Sequence, residues 1–133
     1  MNEKVFPAQL GALGEVTAFV ESELERAECG MKAMMQLAVA VEEIFVNVAH
    51  YAYPDGAGDV TVGVSAGDGR AVVRFTDSGV PFDPLAREEP DITLPAEERP
   101  IGGLGILMVK KTMDSVNYVN QDGKNVLTLE KRF

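Results

Sequence analysis

Between Met31 and Tyr53 the chain runs without proline or glycine, and without lysine or arginine after Lys32. Leu37, Val41, Ile44, Phe45 and Val48 recur there at helical steps, which predicts a long helix with one core-packed face. A second stripe, Leu10, Leu13, Val16, Val20 and Leu24, predicts a helix from Gln9 to Ala27, after a short strand around Val5 and Phe6. Turn signals at PDGAGD (54–59), AGDG (66–69) and QDGK (121–124) bracket alternating segments that read as strands at 59–65, 70–77, 115–120 and 125–131. The Asp-Gly pairs are hairpin signals. A further helical pattern opens on Gly102, Gly103 and Gly105 and runs to Asp114. Pro81, Pro84, Pro90, Pro95 and Pro100 exclude a regular strand in the segment 80–101 before it. Strands joined by hairpins, with the helices grouped apart, imply an α+β fold: a two-layer sandwich with helices on one face of a mixed, mostly antiparallel sheet. No repeat or linker divides residues 1–133, which read as a single domain.

Three groups of residues interrupt this pattern with chemistry. On the long helix, Glu43, Asn47 and His50 stand at i, i+4 and i+7 and stack along one stripe of a largely apolar cylinder. An exposed face would carry lysine or arginine to pair with the glutamate, and none is present. In RAVVRFTDSG (70–79), alternation places Asp77 on the same face as Ala71, Val73 and Phe75, at the rim of the core. A carboxylate there requires hydrogen-bond donors. Asp-Ser-Gly is also ordinary turn chemistry, in which the aspartate accepts from its own backbone two residues on. In a binding site, Asp77 would instead accept from an exocyclic amine such as adenine N6, with Gly79 letting a flat ring approach the backbone. In IGGLGI (101–106), glycines at a helix start leave N–H groups exposed as a phosphate seat. No Gly-Lys-Ser/Thr ends this loop and no strand directly precedes it, so neither a Walker loop nor a dinucleotide fingerprint is present.

In order and spacing, the three groups resemble the N box, G1 box and G2 box of the ATPase superfamily that includes gyrase, the ninety-kilodalton heat-shock chaperone, sensor histidine kinases and mismatch-repair ATPases. Their shared domain is the Bergerat ATP-binding fold. Within that superfamily the short length, the E-x-x-x-N spacing and D-x-G-x-P-F resemble the anti-sigma-factor serine/threonine kinases. The resemblance implies that Glu43 is the general base, Asn47 the magnesium ligand, and Asp77 with Gly79 the adenine contacts. It places Gly102, Gly103, Leu104 and Gly105 along the phosphates and Thr128 at the last nucleotide contact. His50 stands where histidine kinases often carry a phosphate-touching lysine, although imidazole is largely neutral near pH 7. Arg99, with Arg87 as its rival, falls where related kinases place an arginine near the terminal phosphate, and residues 80–101 take the place of the lid. The implied cofactors are ATP and Mg2+. The implied partners are a small anti-anti-sigma (STAS-like) protein as substrate and a sigma factor.

Composition narrows the alternatives. A net charge of −9 and an isoelectric point near 4.5 argue against DNA, RNA or an anionic membrane as the main partner, since those are held by lysine and arginine. The single cysteine, Cys29, excludes an internal disulfide. No apolar signal core opens the chain and no apolar run reads as a bilayer span, which makes a cytoplasmic location the expectation. The chemistry expected of the site is phosphoryl transfer. Magnesium needs few protein oxygens besides phosphate and water, so one amide oxygen from Asn47 suffices. Glu43, one turn away, would take a proton from an incoming hydroxyl. Three readings remain open: a serine/threonine protein kinase; a non-catalytic, nucleotide-dependent module that sequesters a sigma factor or other regulator; and an apolar-core domain whose glycines and acids are only turns, which needs three independent coincidences in the right order. The sequence leaves open whether the chain forms a homodimer.

Overall fold

In a computed structural model of the chain, residues 1–86 and 103–133 are described. Five strands form one sheet: β1 (Asn2–Pro7), β2 (Asp59–Gly67), β3 (Arg70–Asp77), β4 (Ser115–Gln121) and β5 (Lys124–Arg132). Their order is β1-β2-β3-β5-β4, and every pairing among them is antiparallel. Among the described residues three α-helices accompany the sheet: α1 (Leu13–Arg26), α2 (Met31–Tyr51) and α3 (Gly103–Thr112). The β2–β3 and β4–β5 turns each centre on an Asp-Gly pair with positive φ at both residues, Asp68 and Gly69 (54° and 76°) and Asp122 and Gly123 (55° and 76°). This is the backbone that a two-residue hairpin requires to match strand twist.

The core lies between the helices and one sheet face. Val16, Val20 and Leu24 from α1, and Leu37, Val41, Ile44 and Phe45 from α2, meet Phe6, Val62, Val73, Phe75 and Leu129 from the strands, all of them buried. The α1 stripe departs from expectation at one end: Leu10 is 51% exposed. Residues Leu10–Ala12 form a 3-10 turn, whose three-residue period differs from that of an α-helix. The phase therefore slips, and Ala12 turns inward instead.

By length and composition alone α2 is apolar enough to cross a membrane, contrary to the expectation that no such run exists. Its hydropathy has a packing cause, because the stripe from Leu37 to Phe45 forms the centre of the domain core. Expected and observed element limits otherwise agree within a few residues. The sheet delivers the end of β3 and the start of β5 beside the C-terminal half of α2, at one end of the sandwich.

Candidate nucleotide site

Glu43 and Asn47 sit one turn apart on α2. Asn47 is 4% exposed, and its Nδ2 donates to the Glu43 backbone carbonyl (2.8 Å) and to Glu43 Oε1 (3.2 Å). Those two bonds fix the amide with its oxygen turned the other way. Asn47 Oδ1 is buried and has no hydrogen-bond partner among the described residues. An unpaired buried acceptor costs about 1–3 kcal/mol, so this one suits a ligand that the protein does not itself supply, such as a hard cation. Glu43 lies against the first turn of α3. A Cβ added at Gly105 would stand 2.0 Å from Glu43 Cδ, so the absent side chain makes room for the carboxylate.

Asp77 continues the buried face of β3, as alternation requires, and is 6% exposed. Its Oδ1 accepts from Gly79 N–H (2.9 Å) and from Asn125 Nδ2 (2.9 Å). The bond from Gly79 is the turn chemistry expected of an Asp-Ser-Gly segment. Gly79 meets a steric demand: a Cβ there would lie 2.1 Å from the Ala52 carbonyl oxygen, which Val80 N–H reaches at 2.8 Å. The end of α2 is thus pinned to the turn after β3. Tyr53 adds a second pin. Its hydroxyl donates to the Asp59 carbonyl (2.6 Å) and accepts from Ser78 N–H (2.9 Å). Burial pushes the Tyr53 hydroxyl pKa up, Asp77 and Asp59 push the same way, and the Ser78 N–H opposes them. The group stays a neutral phenol through the physiological range.

Asn47, Asp77, Tyr118 and Asn125 are the polar residues of one cavity. Ile44, Val48 and Ala52 of α2, Phe75 of β3 and Leu127 of β5 line it with apolar surface, and Phe82 and Pro84 close one side. Phe82 stacks on Tyr51 with ring centroids 4.8 Å apart and planes 26° apart. The loop carrying Phe82 is tied to α3 by Lys110 Nζ, which donates to the Leu85 carbonyl at 2.9 Å. The combination of apolar walls with a few convergent polar groups is typical of a small-molecule site.

Other expected site residues lie elsewhere. His50 is exposed on α2, set edge-on to Tyr51, and is not part of the cavity lining. Thr128 is a correction. It pairs with Arg74 and Asn117, between the inward residues Leu127 and Leu129, so strand alternation turns it to the sheet face away from the helices. Asn125, three residues earlier and directly opposite Asp77 in the β3–β5 register, has the polar place on the cavity. The sequence signal for it was available in the same alternation, since Asn125 shares the face of Leu127 and Leu129. Gly103, Leu104 and Gly105 form the first turn of α3. Arg87, Arg99 and Gly102 lie outside the described residues. Among the described residues no group of three or more His, Cys, Asp or Glu could hold a metal.

A one-faced antiparallel sheet whose α2 helix and β3 turn enclose such a cavity is a two-layer α+β domain with a small-molecule site. The model of the histidine kinase-like ATPase domain matches residues 6–131, and the chain belongs to that family. It is similar to the serine-protein kinase RsbW of Bacillus cereus, 30% identical over 95 residues that make up 68% of this chain and 59% of that protein. The chain therefore spans about three fifths of the length of the curated relative it matches. Among solved structures, the RsbU and RsbW domains of a Mycobacterium tuberculosis protein share the fold with a TM-score of 0.63, at 17% identity over 99% of this chain and 32% of that one. The catalytic domain of the histidine kinase ThkA shares it at 0.54, with 15% identity over 99% and 97% of the two chains. The superfamily resemblance and the α+β architecture expected from the sequence are both borne out.

Proposed function

We propose that this domain binds Mg-ATP and transfers the terminal phosphate to a serine or threonine of a small regulatory protein of the anti-anti-sigma, STAS-like kind, with a sigma factor as its alternative partner. The reading is carried by the buried, unpartnered Oδ1 of Asn47, one turn from a glutamate that lies on the glycine-led start of α3. Asp77 accepts from the adenine amine on the cavity floor, and Gly79 lets the turn that carries Asp77 pack against the end of α2. Asn47 Oδ1 holds the magnesium ion, whose chemistry is to neutralise and orient the phosphate oxygens. The glycine-led start of α3 would seat the phosphates through its backbone N–H groups and the helix dipole. Glu43 Oε1, fixed by Asn47 Nδ2, takes the proton of the attacking hydroxyl. A contact from Arg99 or Arg87 to the terminal phosphate, and one from Gly102, belong to the same proposal. The similarity to a protein named serine-protein kinase supports the kinase over the binding module.

Incubation with labelled ATP and a STAS-domain protein from the same source tests this reading. Wild type should label one serine or threonine. Glu43→Gln should slow transfer by about 100-fold to 10,000-fold while ADP affinity stays within a few fold, because the carboxylate acts in the transition state. Full transfer by Glu43→Gln would remove Glu43 as base. Nucleotide-dependent retention of the partner without any transfer would replace the kinase with the binding module.

A further inference from the structure

Asn125 is held from both ends. Its Nδ2 donates to Asp77 Oδ1 (2.9 Å) and to the Val80 carbonyl (2.9 Å), while its Oδ1 accepts from Tyr118 Oη–H and from Asn120 Nδ2 (3.0 Å). Two donors and two acceptor lone pairs are all a carboxamide has, so every one is used. Asn120 stands directly opposite Asn125 in the β4–β5 register, and Tyr118 is the next inward residue on β4. An amide can rotate by half a turn about its last bond, because its oxygen and nitrogen are nearly the same size. Rotated, Asn125 would put its oxygen against Asp77 Oδ1 and against the Val80 carbonyl. Among the described residues the donor on the Asp77 side is the Gly79 N–H, which Asp77 already uses. The acceptors Asp77 and Val80 on one side and the two donors on β4 on the other therefore agree on which end of Asn125 meets the aspartate, and the β4 donors anchor its far end.

We propose that Tyr118 and Asn120 are positioning residues that set purine selectivity: by orienting the Asn125 amide they fix the Asp77 carboxylate in the attitude that accepts an exocyclic amine. The proposal rests on the reading of the cavity as an adenine site. Asp77 Oδ1 is clamped by one donor from its own turn and one from Asn125. With the donors of β4 gone, Asn125 is held by its Nδ2 end alone, and the alignment it gives the Asp77 carboxylate with the purine amine loosens. A ligand carrying a carbonyl at that position never used the alignment and loses nothing. Tyr118 and Asn120 thus act through Asn125, and their effect appears in the ratio of two affinities.

Calorimetric titration of the full chain with ADP and with IDP, which carries a carbonyl where ADP carries the amine, tests the relay in wild type, Tyr118→Phe, Asn120→Ala and the double variant. Phenylalanine keeps the ring that lines the cavity and removes only the hydroxyl. Wild type should prefer ADP by about 10-fold to 100-fold, the range for one hydrogen bond to a charged group. Each single variant should lower that preference several fold. The double variant should bring it close to parity by weakening ADP with IDP unchanged. A merely structural role would lower the melting temperature and weaken both ligands alike, leaving the ratio intact, and that result would overturn the proposal. Should the double variant fail to fold, the two single variants decide by the same ratio. A wild-type chain that binds neither nucleotide, or both equally, would overturn the adenine reading and the relay with it. A clear wild-type preference that survives in the variants would overturn the relay alone.

Discussion

Replacing Asn47 with alanine separates a side chain kept for the fold from one kept for a ligand. In the ligand-free chain the substitution removes two hydrogen bonds from Nδ2, to the Glu43 carbonyl and to Glu43 Oε1. At about 0.5–1.5 kcal/mol each, they contribute about 1–3 kcal/mol. The Glu43 carbonyl keeps its helical N–H partner, so no backbone group is stranded. The same substitution removes Oδ1, a buried acceptor without a partner, whose desolvation costs about 1–3 kcal/mol. The two terms oppose each other at similar size, so ligand-free stability should change by no more than about 2 kcal/mol. The ligand-bound comparison should differ sharply. Wild type at a Mg-ADP concentration one hundred times its Kd gains about 2.7 kcal/mol. For a domain of this size that corresponds to a rise in melting temperature of about 10 °C. In Asn47→Ala most of this rise should vanish, and adding EDTA should change the remainder little. Thermal melts of both proteins, ligand-free, with Mg-ADP and with ADP plus EDTA, supply all the quantities needed. A ligand-free loss above about 3 kcal/mol would show that Asn47 is a structural keystone. A full magnesium-dependent rise in the variant would show that its oxygen holds no metal.

Two further outcomes test the frame around the site. Gly79→Ala should destabilise the fold by about 1–3 kcal/mol, because its Cβ would fall 2.1 Å from the Ala52 carbonyl and force apart the turn and the end of α2; a urea midpoint equal to wild type would refute the close approach. Glu130 is held below the ordinary carboxylate range, first by its hydrogen bond from Arg70. A lowered folded-state pKa gives stability that is present above the unfolded-state value and lost as pH falls through the folded one. The stability gap between wild type and Arg70→Ala should therefore be present at pH 7 and close on acidification below the carboxylate range, and a gap independent of pH would contradict the pairing.

The elements of this domain were legible because their causes are local. Apolar residues three and four apart define α2 wherever they are met, Asp-Gly pairs permit the positive φ of both hairpin turns, and alternation from Ala71 to Asp77 assigns a face without reference to any other strand. The stripe of Glu43 and Asn47 follows from helix geometry in the same way. Family membership was legible for a related reason, since a match over residues 6–131 depends on the order and spacing of such local groups. The sequence could also have excluded Thr128, whose parity opposes that of Leu127. Alternation says which face a residue takes but not which residue of the next strand stands beside it. That Asn125 meets Asp77, 48 positions away, depends on the β3–β5 register, and the donors behind it depend on the pairing of β4. The orphaned oxygen of Asn47, the clamp of Tyr53 on Ser78 and Asp59, and the seat of Glu43 on Gly105 are likewise products of chain segments meeting in space. A hydrogen bond acts only over about 3 Å, and no pattern along a chain states which distant groups come that close. Packing of the helices against the sheet decides it.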